Sequence, residues 1–143
     1  MDNIDAQIIR ILHNDAKTPL KELAAQVGLS SPSTSERLKR LEERGVIAGY
    51  TLRVNHSPIG YPLRAIVRVN PLPGQLQRVQ KLIEDTPEIV ECDKVTGEDC
   101  FVCKIYLKSI EQLDLILDRI AEYARTNSSI VKSSPVKKRL PPI

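Results

Sequence analysis

One stretch of eight residues, 55–62, divides this chain of 143 residues into two halves of different pattern. It reads NHSPIGYP, with two prolines, one glycine and no Lys, Arg, Asp or Glu, a composition typical of a linker. Each remaining half has the size of one very small domain. The sequence therefore predicts a domain over 1–54, a linker over 55–62 and a second domain over 63–143.

The first half begins with two short helical patterns. The first helix is expected behind Asp2 or Asn3 as the N-cap, with one apolar stripe formed by Ile4, Ile8, Ile11 and Leu12. The second helix is expected to begin at Thr18 and Pro19 and to end at Gly28, which supplies a left-handed stop. Its predicted buried residues are Leu20, Leu23, Ala24 and Val27.

A third helix follows after a short turn at Leu29 and Ser30. Ser31 and Pro32 repeat the start signal, and the helix is expected to end at 44–45. Two capped helices joined by a glycine turn are the pattern of a helix-turn-helix. Residues 46–54 alternate around a glycine and predict a short strand pair, which would make this a winged helix-turn-helix.

The second half alternates between strand and helix patterns in the order strand, helix, strand, strand, helix, strand. The strands are expected at 65–69, 89–95, 100–107 and 130–136. The first helix is indicated by the apolar residues Leu76, Val79 and Ile83. The second helix opens with a capping box at Ser109 and Gln112. This order predicts a ferredoxin-like βαββαβ module, so the fold class is α+β. Its uncovered sheet face favours pairing with a second copy of the chain.

The third helix carries the candidate residues for nucleic-acid contact. With Leu38 taken as the buried reference, arginines and the glutamate Glu36 point outward along the helix, behind short hydroxyl side chains in its first turns. Hydroxyls reach phosphates or base edges, and arginine binds guanine edges or phosphates in a major groove. The alternative is a solvated face on which Glu36 and Arg40 form an i,i+4 pair. The candidates for DNA binding are Ser31, Ser33, Ser35, Arg37, Arg40 and Arg44.

The three cysteines, Cys92, Cys100 and Cys103, are odd in number and form no disulfide framework, which favours a reducing cytoplasm. Cys100 and Cys103 are expected on opposite faces of one strand, so we predict no metal site and no cofactor. Cys103 alternates with Phe101 as a core residue. The alternation allows Cys92 and Cys100 to face the other side together, and a thiol sensor remains an alternative.

Composition excludes several other classes of protein. The apolar runs are too short for a membrane span, and no secretion signal opens the chain. Aromatic residues make up 3%, too few for a surface that stacks single-stranded bases. The formal net charge of +3 permits binding to double-stranded DNA without demonstrating it. A ferredoxin-like enzyme is the rival class, but the chain offers no convergent acid, base or nucleophile.

Three ordered runs, at 5–12, 22–30 and 37–47, resemble the Lrp/AsnC family of bacterial and archaeal transcription regulators. The likeness continues through Val95–Thr96–Gly97, Phe101 and Lys104 and covers nearly the whole chain. The resemblance implies a homodimer, further assembly beyond it, and a C-terminal module that binds an amino-acid effector. A partner protein that has lost DNA binding is a second rival, which the intact third helix disfavours.

By the same resemblance, effector contacts concentrate in one loop, at Thr96, Gly97, Glu98, Asp99 and Cys100. A carboxylate there can accept from the ammonium group, and a glycine turn exposes backbone N–H groups to the carboxylate of an amino acid. The motif departs from the family's commonest form at Asp99 and Cys100, so either Glu98 or Asp99 is expected to face the ligand. We therefore expect a cytoplasmic regulator, with DNA, an amino acid and itself as partners and no catalysis.

Overall fold

The computed structural model describes residues 1–143, which form two compact units. The first unit comprises 1–53 together with 136–143, and the second comprises 54–135. The segment predicted as a linker, 55–62, therefore groups with the second unit, and the end of the chain groups with the first. The guanidinium of Arg10, in α1, donates a hydrogen bond to the main-chain oxygen of Ile143.

The first unit contains three helices: α1 (Asn3–Asn14), α2 (Leu20–Val27) and α3 (Ser31–Glu43). Asp2 caps α1 in a capping box with Asp5, which confirms the predicted start. Gly28 ends α2 in the left-handed region, with φ of +73°, as predicted. The apolar stripes of the three helices meet in a small core formed by Ile8, Leu23, Val27 and Leu41.

The starts of α2 and α3 differ from the predicted ones by one residue each. The hydroxyl of Thr18 donates to the main-chain oxygen of Asp15 and does not cap α2, whose N-cap is Pro19. Ser30, rather than Ser31, caps α3 and accepts a hydrogen bond from the backbone N–H of Ser33. Leu20 is 39% exposed and so is not a core residue, because it lies at the first helical position, before the buried stripe begins.

The strand pair predicted over 46–54 is absent, and that prediction was wrong. The backbone N–H groups of Val46 and Ile47 both donate to the main-chain oxygen of Leu41, at 2.9 and 3.1 Å, which ties the segment to the end of α3. Tyr50 donates its hydroxyl proton to Glu42, at 2.8 Å. A two-stranded hairpin is marginal without a third strand, and this segment has none beside it. The helix-turn-helix is therefore followed by a segment, 46–54, that contains no strands.

The second unit has the predicted ferredoxin-like order. It consists of the strands and helices β1 (Leu63–Pro71), α4 (Leu76–Glu84), β2 (Ile89–Lys94), β3 (Phe101–Leu107), α5 (Ile110–Ala121) and β4 (Ala124–Ile130). The strands form one antiparallel sheet in the order β2-β3-β1-β4. One face of β1 and β3 is buried against the helices, with Val67, Val79, Ile105 and Ile116 in the core.

The last strand lies at Ala124–Ile130 and not at 130–136, so that prediction was wrong. Only two residues separate α5 from β4, and Ala124 alone of the strand is fully buried. Because β4 is an edge strand with the sequence ARTNSSI, it lacks the apolar alternation by which strands are recognised. The apolar residues Val131 and Val136 drew the prediction toward the segment that follows.

Cys92 faces Cys103 across β2 and β3, which corrects its predicted placement beside Cys100 on the other face. The two Sγ atoms are 3.5 Å apart, with the Cys103 thiol donating. The register shifts at Val90, where one extra residue in β2 turns Cys92 to the same side as Ile89. Cys103 is fully buried, as predicted, and Cys92 and Cys100 both pack against the same core.

Candidate functional site

The turn from α2 to α3 positions the candidate DNA-binding helix. Gly28 and Leu29 donate their backbone N–H groups to the main-chain oxygens at the end of α2, with Leu29 bonded to Ala24 at 3.0 Å. On α3, Thr34 and Leu41 are almost completely buried, and Leu38 is half-buried. The middle of the buried stripe thus lies between Thr34 and Leu41, and Leu38 lies at its edge.

Arg37 lies closer to the core than its predicted outward position. At 100° per residue, it is about 50° from the middle of the buried stripe, the same angle as Leu38 on the other side, so it flanks the core. Its guanidinium contacts Asp2 at 2.6 Å and Asp5 at 3.0 Å, both at the start of α1. The Asp5 side chain is 13% exposed and that of Arg37 is 28% exposed. Arg37 therefore holds α3 against α1 through two carboxylates.

This pairing also changes the ionisation of its members. The backbone N–H of Asp5 and then the guanidinium of Arg37 lower the pKa of Asp2 from its ordinary value. The carboxylates of Asp2 and Asp5 raise the pKa of Arg37 in return. Both shifts favour the charged forms, so the contact between α1 and α3 is an ion pair at neutral pH.

Arg40 projects to the side of the core, about 110° from the middle of the buried stripe, and its side chain reaches solvent. Its side chain is 62% exposed and lies 3.1 Å from Glu36, and Lys39 beside it pairs with Glu43 at 3.7 Å. Exposed i,i+4 pairs contribute only about 0.3–0.5 kcal/mol, so a phosphate or a base edge can replace either carboxylate. Lys39 was not among the predicted contact residues, although a helical wheel centred between Thr34 and Leu41 places it on the outer face of α3.

The remaining candidates of α3 lie at its two ends. Ser33 and Ser35 are exposed and Ser31 is half-buried, and Ser33 accepts a hydrogen bond from the Ser30 hydroxyl at 2.9 Å. Arg44 is the C-cap residue of α3 and is exposed. The helix thus presents hydroxyls at its N-terminal turn and cations further along.

The second candidate site is the loop between β2 and β3, at 95–100. The backbone N–H of Val95 donates to the main-chain oxygen of Cys100 at 2.8 Å, which closes the loop. Gly97 has φ of +109°, a conformation that favours glycine. Thr96, Gly97 and Glu98 are exposed, whereas Asp99 and Cys100 are half-buried. A ligand held by this loop alone would remain largely in solvent, so a closed pocket needs additional walls.

Metal-binding clusters and membrane-spanning helices are both absent from the chain. No group of three or more His, Cys, Asp or Glu side chains is arranged to hold a metal ion. None of the five helices combines the length and apolar character needed to cross a bilayer.

Both halves of the chain match known domain families. Residues 1–42 match the AsnC-type helix-turn-helix domain, and residues 64–141 match the Lrp/AsnC ligand binding domain. The first match contains the whole turn from α2 to α3, and the second contains the loop between β2 and β3. These matches confirm the family resemblance predicted from the sequence.

Similar proteins match over most of their length. The HTH-type transcriptional regulator LrpA of Mycobacterium tuberculosis is 37% identical, over 92% of this chain and 89% of that protein. The HTH-type transcriptional regulator LrpC of Bacillus subtilis is 32% identical over 93% of this chain and 92% of its own length. The structure of that LrpC superimposes with a TM-score of 0.89, covering 96% of this chain and 99% of that one.

A solved structure with a bound ligand is also similar. The feast or famine regulatory protein of Mycobacterium tuberculosis, complexed with L-methionine, has a TM-score of 0.87 and is 34% identical. The match covers 97% of each chain. These similar proteins are thus regulators, and one of their structures holds an amino acid.

Proposed function

Because this chain belongs to the Lrp/AsnC family of transcription regulators, we propose that it is a cytoplasmic, sequence-specific DNA-binding regulator that responds to an amino acid. The observation that carries this proposal is the capped turn from α2 to α3, which leaves one face of α3 exposed with Arg40 upon it. A helix presented in this way fits the major groove of duplex DNA.

The residues of α3 take different parts in this proposal. Arg40 reads a base edge or binds a phosphate, since leaving Glu36 costs little and a good bidentate contact to guanine is worth about 1–3 kcal/mol. The hydroxyls of Ser31, Ser33 and Ser35 and the cation of Arg44 bind the DNA backbone near the two ends of the helix. Arg37 contributes by fixing the angle of α3 against α1, through Asp2 and Asp5.

A homodimer would present two copies of α3 to successive major grooves on one side of the duplex. The sheet offers a surface for self-association, because its second face carries Ile66 and Tyr106 between charged residues of both signs, Arg64, Arg68, Glu91, Asp93 and Lys104. A face of mixed charge suits an isologous contact, in which each cation meets an anion of the other copy. Sedimentation of the full chain tests this, with Ile66→Glu as the disruptive variant and Leu115→Glu, at an exposed leucine of α5, as its control.

The loop at 95–100 is proposed to hold the amino acid. Gly97 allows close approach to the backbone, and neither Glu98 nor Asp99 is tied up in an ion pair. One of these carboxylates accepts from the ligand's ammonium, and backbone N–H groups bind its carboxylate. The L-methionine complex of the relative supports an amino acid as the class of effector. A second subunit would supply the walls that the loop lacks.

Selection of bound fragments from genomic DNA, with and without a panel of amino acids, tests DNA binding and effector response together. The recovered sites should be imperfect palindromes with half-sites spaced by whole helical turns. Arg40→Ala should weaken specific binding by about 1–3 kcal/mol and relax one position of the site. Arg119→Ala, an exposed arginine of α5, is the matched control and should bind like the parent. Equal binding by parent and Arg40→Ala across a salt series would contradict the assignment of α3.

Calorimetry against the twenty amino acids tests the effector loop. Loss of the carboxylate that pairs with the ammonium, in Glu98→Gln or Asp99→Asn, should cost about 1.5–3 kcal/mol of binding, the range for a charge-assisted hydrogen bond. Gly97→Leu should abolish the effector response and leave DNA binding without effector intact. If no amino acid binds, or if all three variants bind like the parent, the loop is not the effector site.

A further inference from the structure

A cavity of about 450 Å³ lies within the first unit, and no residue of α3 lines it. Three elements border it: the second half of α1 through Arg10, His13 and Asn14, the residue Arg53, and the end of the chain from Lys138 to Ile143. None of the six residues predicted to bind DNA lines this cavity. Whatever it binds is therefore contacted by a separate set of side chains.

The lining is strongly and unevenly charged. Arg10, Arg53, Lys138 and Arg139 all border the cavity, and no Asp or Glu does, although the chain has 18 acidic residues. None of the four cations forms an ion pair with an acidic side chain. All four side chains are exposed, and Arg10 already donates to the main-chain oxygen of Ile143, so Arg53, Lys138 and Arg139 are the cations whose mutual repulsion an anion would offset.

The residue types indicate which anion fits. Three of the four cations are arginines, whose planar forks match the oxygens of a phosphate in a bidentate way, and the lysine adds a point charge. The lining also includes Leu140, Pro141 and Pro142, which offer no side-chain hydrogen bonds. Arg10 also donates to the main-chain oxygen of Ile143, so it contacts the segment 138–143 as well as lining the cavity.

We infer that this cavity is a phosphate-binding site, formed when the C-terminal tail folds back onto α1. The phosphate has two available sources, the backbone of duplex DNA and a free phosphorylated compound. The inference does not depend on base reading by α3, because the two sets of residues do not overlap.

The test compares two charge-matched variants of the full chain. Arg53→Gln/Arg139→Gln removes two cations from the cavity and keeps Arg10, so the tail remains anchored. Arg119→Gln/Lys132→Gln removes two exposed cations of the second unit and is the control for net charge. Amide hydrogen exchange establishes that both variants keep α1 folded. The probes are pyrophosphate, titrated by calorimetry, and a duplex of random sequence, titrated over a series of salt concentrations.

Pyrophosphate should bind the parent and the control within twofold of each other and bind the cavity variant at least tenfold more weakly. If DNA supplies the phosphate, the slope of log affinity against log salt for the random duplex also falls, by about 0.9 for each phosphate that the variant no longer neutralises. If pyrophosphate binding falls and the slope is unchanged, the source is a free phosphorylated compound. The inference is overturned if pyrophosphate binds the cavity variant and the control equally well, whatever the salt slope.

Discussion

The turn between α2 and α3 depends on the left-handed backbone of Gly28, and this dependence can be measured separately from side-chain packing. A Cβ atom built at position 28 meets nothing within 4 Å, so Gly28→Ala changes only the backbone energy. The left-handed conformation costs a residue with a Cβ about 1–2 kcal/mol. Alanine also lowers the conformational entropy of the unfolded chain, which stabilises the folded state by about 0.4–1 kcal/mol. The expected net loss of stability is about 1 kcal/mol.

Gly49→Ala is the matched control. Its Cβ would also meet nothing within 4 Å, and its φ is not positive. Gly49→Ala should be about 0.4–1 kcal/mol more stable than the parent, because alanine lowers the entropy of the unfolded chain and takes up no left-handed conformation here. The difference between the two variants therefore isolates the left-handed cost, about 1–2 kcal/mol, because the unfolded-state contribution is common to both. Urea unfolding of both variants measures this difference in the free energy of unfolding, and amide hydrogen exchange in α2 and α3 measures it locally. Equal shifts in the two variants would refute the argument that φ at position 28 determines this turn.

Three further predictions follow from single contacts. Thr34→Val removes the hydroxyl that donates to the main-chain oxygen of Ser30 at 2.9 Å and should lower the free energy of unfolding in urea by about 0.5–1.5 kcal/mol. An unchanged free energy of unfolding would mean that this bond contributes nothing. Asp2→Asn should be less stable than the parent at neutral pH. The difference should disappear as pH falls below 3.8, because the folded protein, in which the pKa of Asp2 is lowered, loses the stabilising carboxylate only when Asp2 is protonated. A constant difference in thermal unfolding down to strong acid would contradict this. Burial raises the pKa of Cys103 to about 12 and also raises that of Cys92, so iodoacetamide should label Cys103 far more slowly in the native protein than in urea. Comparable rates by mass spectrometry would place Cys103 outside the core.

The helices of the first unit could be predicted because their signals are local. A capping side chain, an apolar stripe and a terminal glycine all act within a few residues, and Asp2 and Gly28 do what those signals indicate. The partner of Arg37 is not a local property. Asp2 and Asp5 lie more than thirty residues earlier in the chain, and only the packing of α1 against α3 brings them together.

The two errors in the sheet have the same physical origin. The face of a strand residue is known only if the register is known, and one extra residue at Val90 reverses the face of everything after it in β2. Cys92 therefore meets Cys103. An edge strand such as β4 is half-solvated, so its polar sequence carries little signal, and its position is determined by pairing with β1. Register and edge pairing are properties of the assembled sheet.

The proposed function requires a coupling between two parts of the chain that share no residue. The proposed effector loop at 95–100 belongs to the second unit and α3 belongs to the first, so an amino acid bound there can influence DNA binding only by favouring one arrangement or assembly of subunits over another. Linkage then makes the effect reciprocal: the factor by which the amino acid changes the DNA Kd equals the factor by which DNA changes the amino acid Kd, about 5–150-fold in typical cases. Anisotropy of labelled operator, with and without saturating amino acid, gives the first factor, and calorimetry of the amino acid, with and without saturating operator, gives the second. We expect the two factors to agree within error at one protein concentration, and both to fall to one in Gly97→Leu. A response to the amino acid that persists undiminished in Gly97→Leu would show that the coupling begins at another site.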